Sequence, residues 1–292
     1  MAAAPHPRHV LYLAVLSSLW GSSFMLTKVA LHDLPPTTIV AGRIALACVV
    51  LVCILVARGV RLPRDLGTWL WFALLGLTGT VLPFLLINLG QVHVDSGLAA
   101  IIVGATPLFT ILLAHTLTLD ERMTARGLSG VLAGLVGIVV LVGPAALGGL
   151  GVNLWAQLAI AGGALSYGLN NVIARRMRSQ PVVITATGVM ICSTVMAVPA
   201  ALAVDGYRLP DASTDSLLAV AALGVLSTSL GIILFYRLIG ETSATFVSMT
   251  NYLVPIVGVV WGVALMAEHL AWNAFAALAL ILLGVAVVSR RR

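Results

Sequence analysis

The stretch 97–122, GLAAIIVGATPLFTILLAHTLTLDER, constrains this chain more than any other. It is apolar over the length of a bilayer crossing, carries Pro107 near its middle, and closes on Asp120, Glu121 and Arg122. The same pattern returns over 245–269, with Pro255 in the middle and Glu268 near the end. Pro107 and Pro255 are 148 positions apart, while Gly21/Gly168, Glu121/Glu268 and Gly137/Gly284 are each 147 apart. One register held from end to end marks a duplicated unit. The expected copies are residues 1–147 and 148–292.

Composition decides the solvent. Hydrophobic residues make up 60% of the chain and charged residues 9%, with a mean hydropathy of +1.10. A water-soluble domain carries about 25% charged residues, so a fully water-facing surface is excluded. A membrane crossing needs about 20 predominantly apolar residues. Segments of that kind are expected at 10–30, 36–58, 68–91, 97–118, 125–142, 153–174, 182–204, 216–238, 243–266 and 271–289. The expected fold class is therefore an all-α polytopic membrane protein with ten transmembrane helices. No small-residue cleavage site follows the first apolar run, which is read as a retained helix. The connectors are short, and the longest, 205–215, contains Pro210.

Positive charge orients such a chain, because Lys and Arg are retained in short cytoplasmic loops. With the N-terminus inside, 13 of the 16 basic residues fall on the inner side, among them Arg58, Arg61, Arg64, Arg175, Arg176 and Arg178. Lys28 and Arg208 fall outside and Arg43 lies within the second segment. Both termini are expected in the cytoplasm. An odd number of crossings per copy then makes the two copies inverted with respect to each other. In transporters built this way, substrate sites lie near the midplane at the repeat interface, beside interrupted helices. Pro107 and Pro255 are the expected interruptions, since each removes a backbone donor.

Several quoted motifs carry a family likeness. They are Trp20-Gly21-Ser22-Ser23-Phe24 followed by Lys28, Pro35-Pro36 with Arg43 seven residues on, and Pro107 ahead of Asp120, Glu121 and Arg122. In order and spacing the chain resembles the EamA-type branch of the drug/metabolite transporter superfamily over nearly its whole length. The resemblance implies two inverted five-helix halves around a central cavity, in the inner membrane of a bacterium. It also implies export of small metabolites, often amino acids. Segments 1, 3, 4, 6, 8 and 9 would line the cavity and segments 5 and 10 would pack the scaffold. The second copy departs from the pattern: Tyr167-Gly168 stands for Trp20-Gly21, and Met190 stands for Arg43.

Polar and aromatic groups inside hydrocarbon face a cavity or another helix. The candidates for substrate contact are Trp20, Ser23 and Thr27; Phe84, Asn88 and Gln91; Thr106; Tyr167, Asn170 and Asn171; and Ser248, Asn251 and Tyr252. Amides and hydroxyls beside aromatic rings suit a small zwitterionic or neutral metabolite. For each residue singly, a hydrogen bond between helices is the competing reading. Lys28 and Arg43 read as a headgroup anchor and a holder of helix ends, or else as contacts for an anionic substrate group. Gly130, Gly134 and Gly137 read as a close-packing face.

Enzyme and cofactor signatures are missing. The three cysteines, Cys48, Cys53 and Cys192, lie in apolar runs. No metal-ligand spacing or nucleotide-binding loop is present, and Gly148-Gly149-Leu150-Gly151 reads as a connector. The Asp and Glu residues sit at or near segment ends, and His115 is the one imidazole well inside a segment. We therefore expect no catalytic residues, no metal and no cofactor. The expected partners are a small-molecule substrate and the lipid bilayer, with no nucleic acid and a monomeric chain. The expected activity is secondary export of amino acids or related metabolites by alternating access. The alternatives are a passive channel-type pore and a membrane-embedded lipid-modifying enzyme.

Overall fold

The computed structural model describes residues 6–118, 125–142, 152–177, 180–206, 211–242 and 244–289. Asp120, Glu121 and Arg122, the glycine-rich connector at 148–151, Arg178, Arg208, Pro210 and the arginines at 290–292 lie outside the described residues. Among the described residues all regular structure is helical. In chain order the helices are α1 (Pro7–Ala30), α2 (Pro36–Ala57), α3 (Leu66–Gly76), α4 (Leu82–Gln91), α5 (Ser96–Val103), α6 (Thr106–Leu117), α7 (Ala125–Val142) and α8 (Val152–Ile173). They continue as α9 (Val182–Asp205), α10 (Thr214–Ala222), α11 (Gly231–Glu241), α12 (Ala244–Val247), α13 (Thr250–Met266) and α14 (Trp272–Ser289).

Two wider π-helical turns, Leu77–Val81 and Leu223–Leu230, join α3 to α4 and α10 to α11. Among the described residues six runs are long and apolar enough to cross a membrane: Pro7–Ala30, Pro36–Ala57, Leu66–Gln91, Ser96–Leu117, Val182–Asp205 and Thr214–Glu241. Shorter apolar helices follow at Gly127–Leu141, Thr250–Met266 and Trp272–Val287. The chain is a polytopic membrane protein. Many large apolar side chains face outward, Leu11, Val56, Val139 and Trp272 among them. In water that surface would be untenable; against lipid it is the required one.

The helix ends follow local chemistry. Pro36 opens α2 in its first turn, where no amide partner is needed. Asp65 caps α3 by accepting from the Thr68 amide at 2.8 Å, so this loop carboxylate is an N-cap. Ser213 likewise caps α10 through the Ser216 amide.

Packing is strongly paired: α7 with α14, α2 with α9, α1 with α13, and α4 with α8. Glycine permits the tightest crossings. A side chain at Gly21 would meet Val257 Cγ1 at 2.6 Å, and one at Gly168 would meet the Thr110 amide nitrogen at 3.0 Å. Gly284 lies against Gly130 and Gly134, and Gly137 against Ala277 and Ile281, so α7 and α14 pack backbone to backbone.

Ion pairs and caps tie the helix ends together. Glu241 at the end of α11 accepts from His9 at 3.2 Å and Arg237 at 2.9 Å, with Arg8 at 3.6 Å. Asp33, in the turn after α1, accepts from the Ser213 amide at 3.0 Å and the Ser216 hydroxyl at 2.8 Å, and also from the Ser213 hydroxyl. Lys28 donates to the carbonyls of Gln91 at 2.8 Å and Val94 at 3.1 Å, placing a cation on the C-terminal end of α4. That contact is a helix cap rather than the headgroup anchor expected of Lys28.

Candidate functional site

The interior polar groups gather around the two π turns. A π turn misaligns one backbone ladder and exposes carbonyls that a regular helix would use. At Leu77–Val81 the Thr78 carbonyl is taken by the Ser166 hydroxyl at 2.7 Å, from α8. The Thr78 hydroxyl donates to Leu74 O at 2.8 Å and to Asn170 Oδ1 at 3.2 Å. Gly79 is pressed against Asn170, whose carboxamide would lie 2.6 Å from any added Cβ.

At Leu223–Leu230 the arrangement is similar. Thr228 Oγ1 donates to Leu223 O at 2.8 Å, and Ser229 Oγ donates to Gly224 O at 2.9 Å, five residues back in each case. The Ser227 carbonyl is left to accept from Trp20 Nε1 at 3.1 Å.

Arg43 sits at the centre of this polar zone. It comes from α2 and is 9% exposed, the one Lys, Arg, Asp or Glu that is buried among the described residues. Its Nε donates to Thr228 Oγ1 at 2.9 Å, and its guanidinium lies 3.8 Å over the Phe84 ring. Phe84 meets Tyr167 edge-on at 6.5 Å between ring centroids. Thr228 can accept from Arg43 because its own proton is committed to Leu223 O. The cation is thus held by one hydroxyl and one aromatic face.

The expected contact residues divide. Phe84 and Tyr167 join at the arginine, and Asn170 joins them through Thr78 and Gly79 on the neighbouring turn. Trp20 sits across from α11, tilted on Phe235 at 5.3 Å, and a side chain at Gly231 would strike its Nε1. Ser23 donates to its own helix, to Trp20 O at 2.6 Å, and Thr106 donates back across the break to Val103 O of α5 at 2.7 Å. Asn88 reaches Pro36 O at 3.5 Å, and Gln91 Nε2 donates to Phe24 O at 2.9 Å. Those two amides fasten the end of α4, and Thr27 is buried in α1. Asn171 is exposed and donates to Thr110 Oγ1 at 3.2 Å. Ser248 lies in the turn before α13, Asn251 is exposed, and Tyr252 packs half-buried against the α5–α8 core.

The prolines behave differently from each other. The run Ser96–Leu117 breaks at Gly104 and Ala105, and Pro107 falls in the first turn of α6. Pro255 instead lies inside the continuous helix α13, and the break there comes earlier, at Ser248 and Met249. As an interior proline it leaves the Asn251 carbonyl without its usual donor. The Pro255 ring rests on Gly104, 3.2 Å from where a side chain would begin.

α5 and α13 pack closely through Gly97, Ala100 and Gly258. Past the break α6 leaves α13 and packs against α8. Asn171, Thr110, Ser248 and Asn251 lie towards this divergent end. At the convergent end Glu268 caps α5, accepting from the Ser96 amide at 2.7 Å, the Ser96 hydroxyl at 2.6 Å and the Gly97 amide at 2.9 Å.

The residues that the sequence reading missed are the hydroxyls beside the π turns: Thr78, Ser166, Ser227 and Thr228. Their signal was present as Thr78-Gly79-Thr80 and Ser227-Thr228-Ser229, small polar triplets in the middle of apolar runs. Among the described residues no group of three or more His, Cys, Asp or Glu side chains could hold a metal ion.

The EamA-like transporter family matches residues 8–143 and again 154–290. The chain belongs to the EamA-like transporter family. It is 28% identical over 284 residues to an uncharacterized inner membrane transporter of Escherichia coli, YedA, covering 95% of this chain and 89% of that one. It is 29% identical over 278 residues to a "probable terminal-alkyne amino-acid exporter" of Streptantibioticus cattleyicolor, covering 93% and 90%. One solved crystal structure superposes with a TM-score of 0.67 at 21% identity, covering 97% of this chain and 96% of that one, a likeness of fold. This EamA-like chain is therefore a membrane transporter for small molecules, and its polar interior is the place to look for the cargo.

Proposed function

We propose that the chain exports amino acids or related small metabolites across the bacterial inner membrane by alternating access. Ten spans form two inverted five-span repeats, residues 1–147 and 148–292, around a central cavity, with both termini cytoplasmic and the protein monomeric. The carrying observation is the pairing of helices. If the runs are numbered one to ten, exchanging each with the run five places on maps the principal pairs onto themselves or onto one another. Span 1 meets span 9 as span 6 meets span 4, and spans 2, 4 and 5 meet spans 7, 9 and 10. The close crossings Gly21–Val257 and Gly168–Thr110 obey the same 147-residue exchange.

The π turns in spans 3 and 8 supply matched flexible points, a geometry suited to rocking one repeat against the other. With the orientation set by the loop arginines, spans 4 and 9 converge outside, at Glu268, and diverge inside. This conformation is then inward-open. Trp20, Phe84, Tyr167, Asn170, Asn171 and Asn251 line the route, and the amino-acid exporter among the relatives supports the cargo class. The match to a transporter family favours transport over lipid chemistry.

The test is counterflow in proteoliposomes with a panel of labelled amino acids. Saturable uptake accelerated by substrate inside supports a carrier. Uptake that neither saturates nor shows trans-stimulation identifies a pore and refutes alternating access.

A further inference from the structure

We propose that Arg43 is an anion subsite that takes the carboxylate of the transported molecule, with an apolar pocket across the repeat axis for the rest of it. The proposal deepens the export reading and rests on it for the word "transported", but the subsite itself stands on geometry. A guanidinium carries five N–H donors. Among the described residues the bond from Nε to Thr228 is the only hydrogen bond Arg43 makes, and no Asp or Glu is paired with it. Four N–H groups on the two Nη atoms therefore have no protein acceptor. A buried cation with unpaired donors is costly to keep within a membrane. A carboxylate arriving there would supply both the missing charge and two matched acceptors.

The arginine is also positioned rather than loose. Thr228 holds Nε at 2.9 Å and Phe84 covers one face at 3.8 Å, which leaves the Nη edge, the fork that binds carboxylates bidentately. Gly224 lets α2 come close enough for this, since its absent Cβ would lie 2.8 Å from the Arg43 carbonyl oxygen. The π register of Thr228 donating to Leu223 O turns that hydroxyl into an oriented acceptor.

The second copy explains the other end of the ligand. At the 147-residue spacing Arg43 corresponds to Met190, Thr228 to Val81, Phe84 to Gly231 and Tyr167 to Trp20. The duplicated cavity thus carries its charge on one side only. The related side is apolar: Met190 is buried in one cluster with the half-buried Val81, and the Trp20 ring lies tilted on Phe235. Such a site discriminates by polarity along its length. It admits a molecule with a carboxylate at one end and an apolar side chain at the other, and rejects the amide or amine that lacks the anion.

The test uses the purified full-length protein in detergent at constant ionic strength. Thermal stability is followed while phenylacetate, phenylalanine or the neutral phenylacetamide is titrated. The two carboxylates should stabilise the protein saturably and the amide should not. Arg43→Gln should weaken phenylacetate binding about 30-fold or more, the loss expected for a charge-assisted fork. Arg43→Lys, which keeps the charge without the fork, should bind with an intermediate affinity. Thr228→Val, which leaves the charge but removes its holder, should weaken binding several-fold.

Equal stabilisation by phenylacetate and phenylacetamide, no stabilisation by either carboxylate, or an unchanged affinity in Arg43→Gln overturns the proposal. Should Arg43→Gln fail to fold, the wild-type comparison of carboxylate with amide and the Thr228→Val titration still decide it. The export reading is judged separately in vesicles. Carboxylate binding at Arg43 with no transport of any amino acid would refute that reading and leave the anion subsite standing.

Discussion

Glu268 gives the sharpest test of how the two halves hold each other. From the loop after α13 its carboxylate accepts from Ser96 N, Ser96 Oγ and Gly97 N, at 2.7, 2.6 and 2.9 Å. The first-turn amides of a helix have no partner within it. Replacing Glu268 with Ala would therefore strand two amides and a hydroxyl at the positive end of α5. An N-cap is worth about 1 kcal/mol and a hydrogen bond to a charged group about 1.5–3 kcal/mol. Glu268 is only half-buried, so we take the lower part of that range and expect a loss of about 1.5–2 kcal/mol. Glu268→Gln keeps one acceptor oxygen and should cost about half as much.

The assay is reversible denaturation in mixed micelles, with a double-mutant cycle against Ser96→Ala. The cycle should return a coupling of about 1 kcal/mol for the hydroxyl contact. Gly262→Ala is an independent probe, because its Cβ would come within 2.3 Å of Glu268 Oε2 and push the carboxylate off α5. A Glu268→Ala protein as stable as wild type, with no coupling to Ser96, would refute the idea that one half caps the other.

Other expectations follow from particular contacts. The hydroxyl of Ser213, then His32 and the Ser216 hydroxyl, hold the Asp33 carboxyl well below the ordinary carboxylate range. A depressed folded-state pKa means a contribution complete above the ordinary value of 3.8 and lost as the pH falls further. The stability advantage of wild type over Asp33→Asn should therefore be constant near neutrality and shrink in strong acid; a gap that widens on acidification refutes the clasp. Gly168→Ala should cost about 1–3 kcal/mol by overpacking, since its Cβ would meet the Phe109 side chain and the Thr110 backbone nitrogen at 3.0 Å. Unaltered stability of that variant would show that α8 and α6 can separate freely.

With no Asp or Glu buried among the described residues, transport should run down the substrate gradient without obligatory proton coupling. Vesicles with equal substrate on both sides and an imposed pH gradient would reveal coupling as net accumulation. Its loss in His115→Ala would assign it to that exposed imidazole.

Hydropathy and spacing alone made the helices legible, because a backbone in hydrocarbon has to satisfy its own hydrogen bonds and twenty apolar residues leave it no other choice. The glycine register was legible for a similar reason. Gly21 and Gly168 stand 147 apart and both lie at tight crossings, since only a missing side chain allows backbones so close. What a local reading could not supply was which distant group each polar atom would find. Arg43 and Thr228 are 185 positions apart, and Glu268 lies 172 from Ser96, so neither contact leaves a trace in its own segment.

The prolines make the same point from the other direction. Pro107 and Pro255 are the same residue within one position of the repeat register, yet one opens a helix and the other rides inside one. What the two breaks share is a hydroxyl three residues on that takes a freed carbonyl: Thr106 takes Val103 O at 2.7 Å and Thr250 takes Val247 O at 2.8 Å. The π turns are the clearest case: Thr78 and Thr228 look interchangeable as mid-helix hydroxyls. Only the packing of α8 against one and α2 against the other makes the first a partner for Asn170 and the second a holder for a buried cation.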